Sequence, residues 1–149
     1  MLNRKFCLSF IFIGLTSGAF AAADWETDYE KALAKATTEN KRVLLDFTGS
    51  DWCGPCINLR KRVLSSKEFA AYAAKNLVLV EIDYPQQKKQ SAELKKQNEK
   101  LSKEYGIDAK GFPTIVLLDS NGRVMREFTG YDGEASAAII AWIEGKRKM

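Results

Sequence analysis

Apolar and polar positions alternate in blocks along this chain, and the period within each block names an element. Trp25, Tyr29, Leu33 and Ala36 recur at helical spacing. Asp24, Glu26 and Asp28 put negative charge in the first turn, where the helix dipole favours it. The pattern predicts a helix ending near Asn40. RVLLDFT, from Arg42, is apolar with the length of a strand, and reads as one buried on both faces. Ile57, Leu59, Val63 and Leu64 then predict a helix that begins inside the motif WCGPC. Ser65 and Glu68 form a capping box that restarts it, and Phe69, Tyr72 and Ala73 carry it to Asn76. LVLVEID, from Leu77, is a second buried strand. Strand, helix and strand together predict a right-handed crossover with parallel pairing.

A long polar stretch follows. Pro85 suits a helix start and Gly106 a stop, so a helix is expected from Gln86 to Gly106. Its apolar stripe is thin, with Leu94, Leu101 and Tyr105 only, so most of it should be solvated. TIVLLD from Thr114 is a third strand, Asn121-Gly122 is a hairpin signal, and RVMREFTG is a fourth strand antiparallel to the third. Ala135, Ala138, Ile139, Trp142 and Ile143 form a closing amphipathic helix before the basic tail GKRKM. The predicted class is α/β, with a central mixed sheet of about four strands (βαβ, then a β-hairpin) and helices on both faces. No repeat or linker divides the chain.

The first residues break this pattern. Arg4 and Lys5 precede an apolar stretch from Phe6 to Leu15. Small residues follow, with overlapping Ala-x-Ala sites at residues 19–21 and 21–23. This is the layout of a secretory signal peptide, expected over residues 1–23, with one domain over 24–149. The apolar core is short for a membrane anchor. Export, to a periplasmic or other extracytoplasmic space, implies a compartment where disulfides persist. Cys7 would be removed, leaving Cys53 and Cys56. The formal charge of +4 falls to +2 without Arg4 and Lys5, and no basic patch interleaves with aromatics, so nucleic-acid binding is not indicated.

Cys53 and Cys56 are separated by Gly54 and Pro55, and three chemistries compete for such a pair. A zinc site needs four ligands, and the chain has no histidine, so no metal is expected. A structural staple across so short a loop removes little unfolded-state entropy. A redox pair uses the surroundings best. Cys53 sits where a strand gives way to a helix, whose N-terminal N–H groups and dipole favour a thiolate. Cys56 lies almost one turn further and deeper, placed to attack a mixed disulfide on Cys53. Pro55 is tolerated in a first turn, and Gly54 leaves room for a substrate chain.

WCGPC, with LLDF before it and YGIDAKGFPT after it, resembles thioredoxin from about Arg42 to Lys146. VLSSKEFAAYAAKNLVLVEID is similar to exported thioredoxin-like reductases and to the C-terminal domain of the thiol:disulfide interchange protein DsbD. The resemblance implies a thioredoxin fold, with Cys53 attacking and Cys56 resolving. It implies a cis-proline at Pro113 that presents the Phe112 backbone to substrate, the competing reading being a trans proline that starts a strand. Trp52 matches the tryptophan before the first cysteine, and core packing is its other reading. Gly130 matches a groove glycine, against a plain turn glycine. Asp46 fits the buried aspartate that takes the second cysteine's proton, against a structural hydrogen-bonding role. Two departures stand out. Asp46 is one residue further from the cysteines than in thioredoxin. The lysine of the next strand is missing, with Leu79 in its place and Glu81 nearby.

The expected function is an exported thiol:disulfide oxidoreductase, monomeric, that reduces protein disulfides. No dinucleotide fingerprint is present, so no cofactor is expected. Electrons would come from another dithiol protein, with a membrane-embedded carrier as the candidate donor. The alternatives are an oxidase or isomerase of the same fold, and a non-catalytic binding module.

Overall fold

The computed structural model describes residues 23–149. All of the expected signal peptide except Ala23, including Cys7, lies outside these residues. The chain runs β1 (Trp25–Glu26), α1 (Tyr29–Glu39), β2 (Arg42–Thr48), α2 (Gly54–Leu59), α3 (Lys67–Asn76), β3 (Leu77–Asp83), α4 (Ala92–Tyr105), α5 (Ile107–Lys110), β4 (Thr114–Leu118), β5 (Val124–Thr129) and α6 (Ser136–Ile143). The strands form one mixed sheet in the order β1-β3-β2-β4-β5. β2 is its centre, parallel to β3 and antiparallel to β4. That position suits a strand buried from Val43 to Thr48.

Strand alternation splits the core into two halves. Val43, Leu45 and Phe47 of β2 face α1, α4 and α5 through Tyr29, Ala32, Leu101, Tyr105 and Ile107. Leu44 faces the other way, onto Leu59, Val63 and Phe69 and the α6 residues Ile139 and Trp142. Each fully buried Leu, Val, Ile or Phe side chain adds about 1.5–3 kcal/mol relative to exposure. On that second face the next inward positions of β2 are Asp46 and Thr48, so a carboxylate occupies a place where packing alone would favour an apolar group.

The α/β class, the buried parallel pair, the hairpin and the helices on both faces match the pattern-based expectation. Four details differ. The sheet has a fifth strand, because Trp25 and Glu26 pair with Leu79 and Val80 instead of opening the first helix. The Arg60 guanidinium lies 3.9 Å from the centroid of the Trp25 ring and holds it against the sheet edge. The helix proper starts after Asp28, whose carboxylate accepts the Lys31 N–H at 3.0 Å. Between α2 and α3 the helix widens into a π-turn at Arg60–Leu64, and Ser66, not Ser65, caps α3 by accepting the Phe69 N–H. Finally, α4 begins at Ala92 with Ser91 as its cap, six residues later than Gln86, and Gly106 ends it in the left-handed region (φ 65°) as expected.

Candidate active site

β2 delivers the chain to the cysteines. It ends at Thr48, and Gly49 follows in close contact with the Trp52 indole, where any Cβ would collide with the ring. The Gly49 carbonyl accepts the Cys53 N–H at 2.9 Å, which closes the loop. Cys53 is then the N-cap of α2, with Pro55 in the first turn. Its Sγ accepts the Cys56 backbone N–H at 3.3 Å. A sulfur in this place feels the unpaired N–H groups and positive end of the helix, which favour the thiolate. The two cysteines are joined in a disulfide with Cα atoms 5.3 Å apart. Both cysteines are buried, Cys53 at 6% exposure and Cys56 at 2%, and Cys53 is the outer of the two.

Asp46 lies on the face of β2 that α2 covers. It is buried, and its Oδ1 has no hydrogen-bond partner. Burial pushes its carboxyl up to about 7; Arg60 opposes this, and Glu81 and Asp83 add to it. Glu81 stands beside Asp46 in the β2–β3 register. Arg60, one turn after Cys56, pairs with Glu81. Cys56, Arg60, Glu81 and Thr48 line a cleft of about 350 Å³ that opens behind the inner sulfur. Leu79 pairs with Leu44 in the same register, so Glu81, not Leu79, is the residue beside Asp46. The charge next to the buried acid is therefore negative and is balanced by an arginine from the helix.

The other side of the cysteines is lined by aromatics. Trp52 is 41% exposed, so it does more than pack the core. Its ring meets Phe112 edge-on at 5.7 Å, and Phe112 meets Tyr84 at 5.2 Å. The Phe112–Pro113 peptide bond is cis, as the resemblance implies. Pro113 accepts the Gly130 N–H at 2.9 Å through its carbonyl, which ties the two loops together, and Gly130 has a φ of 89°. Gly54 is exposed, and a Cβ there would meet nothing within 4 Å.

Pattern reading missed the brace around Trp52. The Trp52 Nε1–H donates to the Tyr84 carbonyl at 2.7 Å. The Asp51 carboxylate accepts the backbone N–H groups of Gln86, Gln87 and Lys88 at 2.9, 2.8 and 3.0 Å, which hold it below the usual carboxylate range. Ser50 donates from both N–H and Oγ to Asp83. Residues 84–90 are thereby fastened to the cysteine loop. α4 opens only after this loop, at Ala92, where the Ser91 side chain accepts the Leu94 N–H. The one signal in the sequence is an aspartate directly before the Trp-Cys pair. Arg60 was also missed, although its place one turn beyond Cys56 was readable.

A family model described as thioredoxin-like matches residues 24–120. The chain is 34% identical over 131 residues to the disulfide bond reductase DsbH of Chlamydia pneumoniae, covering 88% of this chain and 76% of that one. A solved structure of a DsbH oxidoreductase superimposes with a TM-score of 0.79 at 30% identity, covering 93% of this chain and 94% of that one. The C-terminal domain of DsbD from Neisseria meningitidis, in its oxidised form, superimposes with a TM-score of 0.56 at 23% identity, covering 79% and 92%, a likeness of fold. The chain belongs to the thioredoxin-like family and is a thiol:disulfide oxidoreductase.

Proposed function

We propose that this chain is an exported reductase of protein disulfides, in which Cys53 attacks, Cys56 resolves and Asp46 handles the proton. One observation carries the reading: Cys53 is the outer sulfur at the N-terminus of α2, while Cys56 lies inward beside a cleft it shares with Arg60 and Glu81. The Cys53 thiolate attacks one sulfur of a substrate disulfide. A Cys53–substrate bond forms, and the substrate S–S bond breaks to release one thiolate, which takes a proton from water. Cys56 then loses its proton to Asp46 and attacks Cys53. The Cys53–Cys56 disulfide forms, and the second substrate sulfur leaves as a thiolate, which takes a proton from water while Asp46 keeps the proton of Cys56 until it returns it to solvent. The substrate gains two electrons and the protein loses two. The described form, with the Cys53–Cys56 bond made, is the product of that cycle. A second dithiol protein, membrane-embedded in our reading, restores the pair.

Trp52, Phe112, Pro113 and Gly130 form the substrate side in this reading, with Gly54 and Pro55 as its floor. The cis bond at Pro113 exposes backbone for strand-like pairing. Export rests on the charged, apolar and small-residue layout of residues 1–23, and the mature domain would be 24–149. The similarity to a protein named a disulfide bond reductase favours the reducing direction.

The cysteine variants test the roles. Cys56→Ser should accumulate mixed disulfides with partners in the cell envelope, and Cys53→Ser should neither form them nor reduce insulin. Adducts on Cys53→Ser and none on Cys56→Ser would reverse the assignment.

A further inference from the structure

The loop that follows β3 carries charge to the edge of the cysteine motif. Residues 85–91 hold Lys88 and Lys89 and no acidic residue. The Lys88 Nζ donates to Ser50 Oγ at 3.1 Å, so this lysine reaches the cysteine loop itself. Beside it, Pro85, Lys88, Lys89, Gln90 and Lys95 line a depression of about 310 Å³. No carboxylate lines it. Glu93, the nearest acid along the chain, turns to a different hollow with Asp28 and Lys31. Among the described residues neither Lys89 nor Lys95 forms an ion pair. Asp51 and Asp83 flank the Lys88 end of this rim, Asp51 through the backbone N–H groups of residues 86–88 and Asp83 through Ser50. The rim does not drift, because Asp51, directly before Trp52, fixes the backbone of residues 86–88.

We propose that this lysine rim is a docking surface for acidic segments flanking the disulfide of a substrate protein. The inference rests on the reductase reading and adds a substrate class to it. Charge complementarity names the occupant: a cationic hollow near the exposed Trp52, in which Lys89 and Lys95 form no ion pair among the described residues, attracts carboxylates and repels basic chains. Rim charges of this kind act mainly on association rate, and salt screens them. An acidic segment lying across Lys89 and Lys95 would bring its disulfide in from the Trp52 side.

Two disulfide peptides, identical except for Glu or Lys residues flanking the bond, test this with the purified, reduced protein. The second-order rate of reduction should be at least roughly fivefold higher for the Glu peptide at about 0.01 M salt, where the Debye length is about 30 Å. The ratio should approach one at about 1 M salt, where the Debye length is about 3 Å. Lys89→Glu with Lys95→Glu should reverse the order at low salt, and circular dichroism should show the variant folded. Equal rates for the two peptides at low salt, or a Glu preference that survives in the double variant, overturn the proposal. Failure to reduce either peptide is a different result: it removes the reductase reading, and the docking surface with it.

Discussion

Asp46 and Glu81 stand side by side across the parallel register of β2 and β3, two carboxylates on the sheet face that α2 covers. Glu81 is held by Arg60, which comes from the turn after Cys56. Asp46 has no such partner at Oδ1 and is buried. Glu81, which lines the cleft with Cys56, is neutralised by an ion pair, and its neighbour Asp46 is raised toward neutrality by burial. A carboxyl near 7 can exchange a proton with a thiol at physiological pH, which an ordinary aspartate does poorly.

Asp46→Asn should slow disulfide reduction at neutral pH and flatten its pH dependence between about pH 6 and 9. Unchanged rates across that window would remove Asp46 from proton transfer. The same variant has a stability signature. Asp46 holds its proton more tightly folded than at its ordinary value of 3.8. The stability that this proton contributes is whole below about pH 4 and is lost as pH rises through about 7. Relative to Asp46→Asn, the oxidised wild type should therefore lose on the order of 4 kcal/mol between about pH 4 and 9. Urea unfolding of both proteins across that range measures it, and parallel curves would contradict a buried, raised carboxyl.

Arg60 and Glu81 should move the pH profile in opposite directions. Arg60 draws the Asp46 carboxyl down and Glu81 pushes it up. Arg60→Met should shift the acid limb of the rate profile to higher pH, and Glu81→Gln to lower pH. Shifts of the same sign would show that these residues act through packing and not through charge.

Asp51→Ala should free the loop it fastens. Amide hydrogen exchange at Gln86, Gln87 and Lys88 should accelerate, because their acceptor is gone. Exchange in β2 and β3 should stay unchanged. Protection that persists at all three amides would mean that other contacts hold the loop.

The parts of the fold that were legible in the sequence are those built from local signals. RVLLDFT and LVLVEID are mostly apolar runs of strand length, and both are strands over the full expected span. The apolar positions Ile57, Leu59, Val63 and Leu64 placed a helix start inside WCGPC, where α2 begins. β1 was illegible because two residues carry no period; Trp25 is held by the β3 edge and by Arg60. The start of α4 was illegible because the loop before it is tied to Asp51, far back in the chain, while the cap that opens the helix is Ser91. Glu81 was noted near Leu79 in the next strand, and only the register of two parallel strands sets it alongside Asp46. The cis bond at Pro113 came from family resemblance, since no local pattern carries it, and the hydrogen bond from Gly130 to the Pro113 carbonyl was visible only in the structure.

The direction of electron flow is the claim on which the account rests. A strong oxidant needs an unusually stable thiolate in its reduced form. Here Gly54 and Pro55 separate the cysteines, and the chain has no histidine to pair with Cys53. The N-terminus of α2 is the stabilising element at that sulfur. Equilibration of the purified protein against a glutathione buffer series measures the potential of the Cys53–Cys56 pair. The account predicts a value of about −270 to −200 mV, and a value near −120 mV would contradict it and make the protein an oxidase.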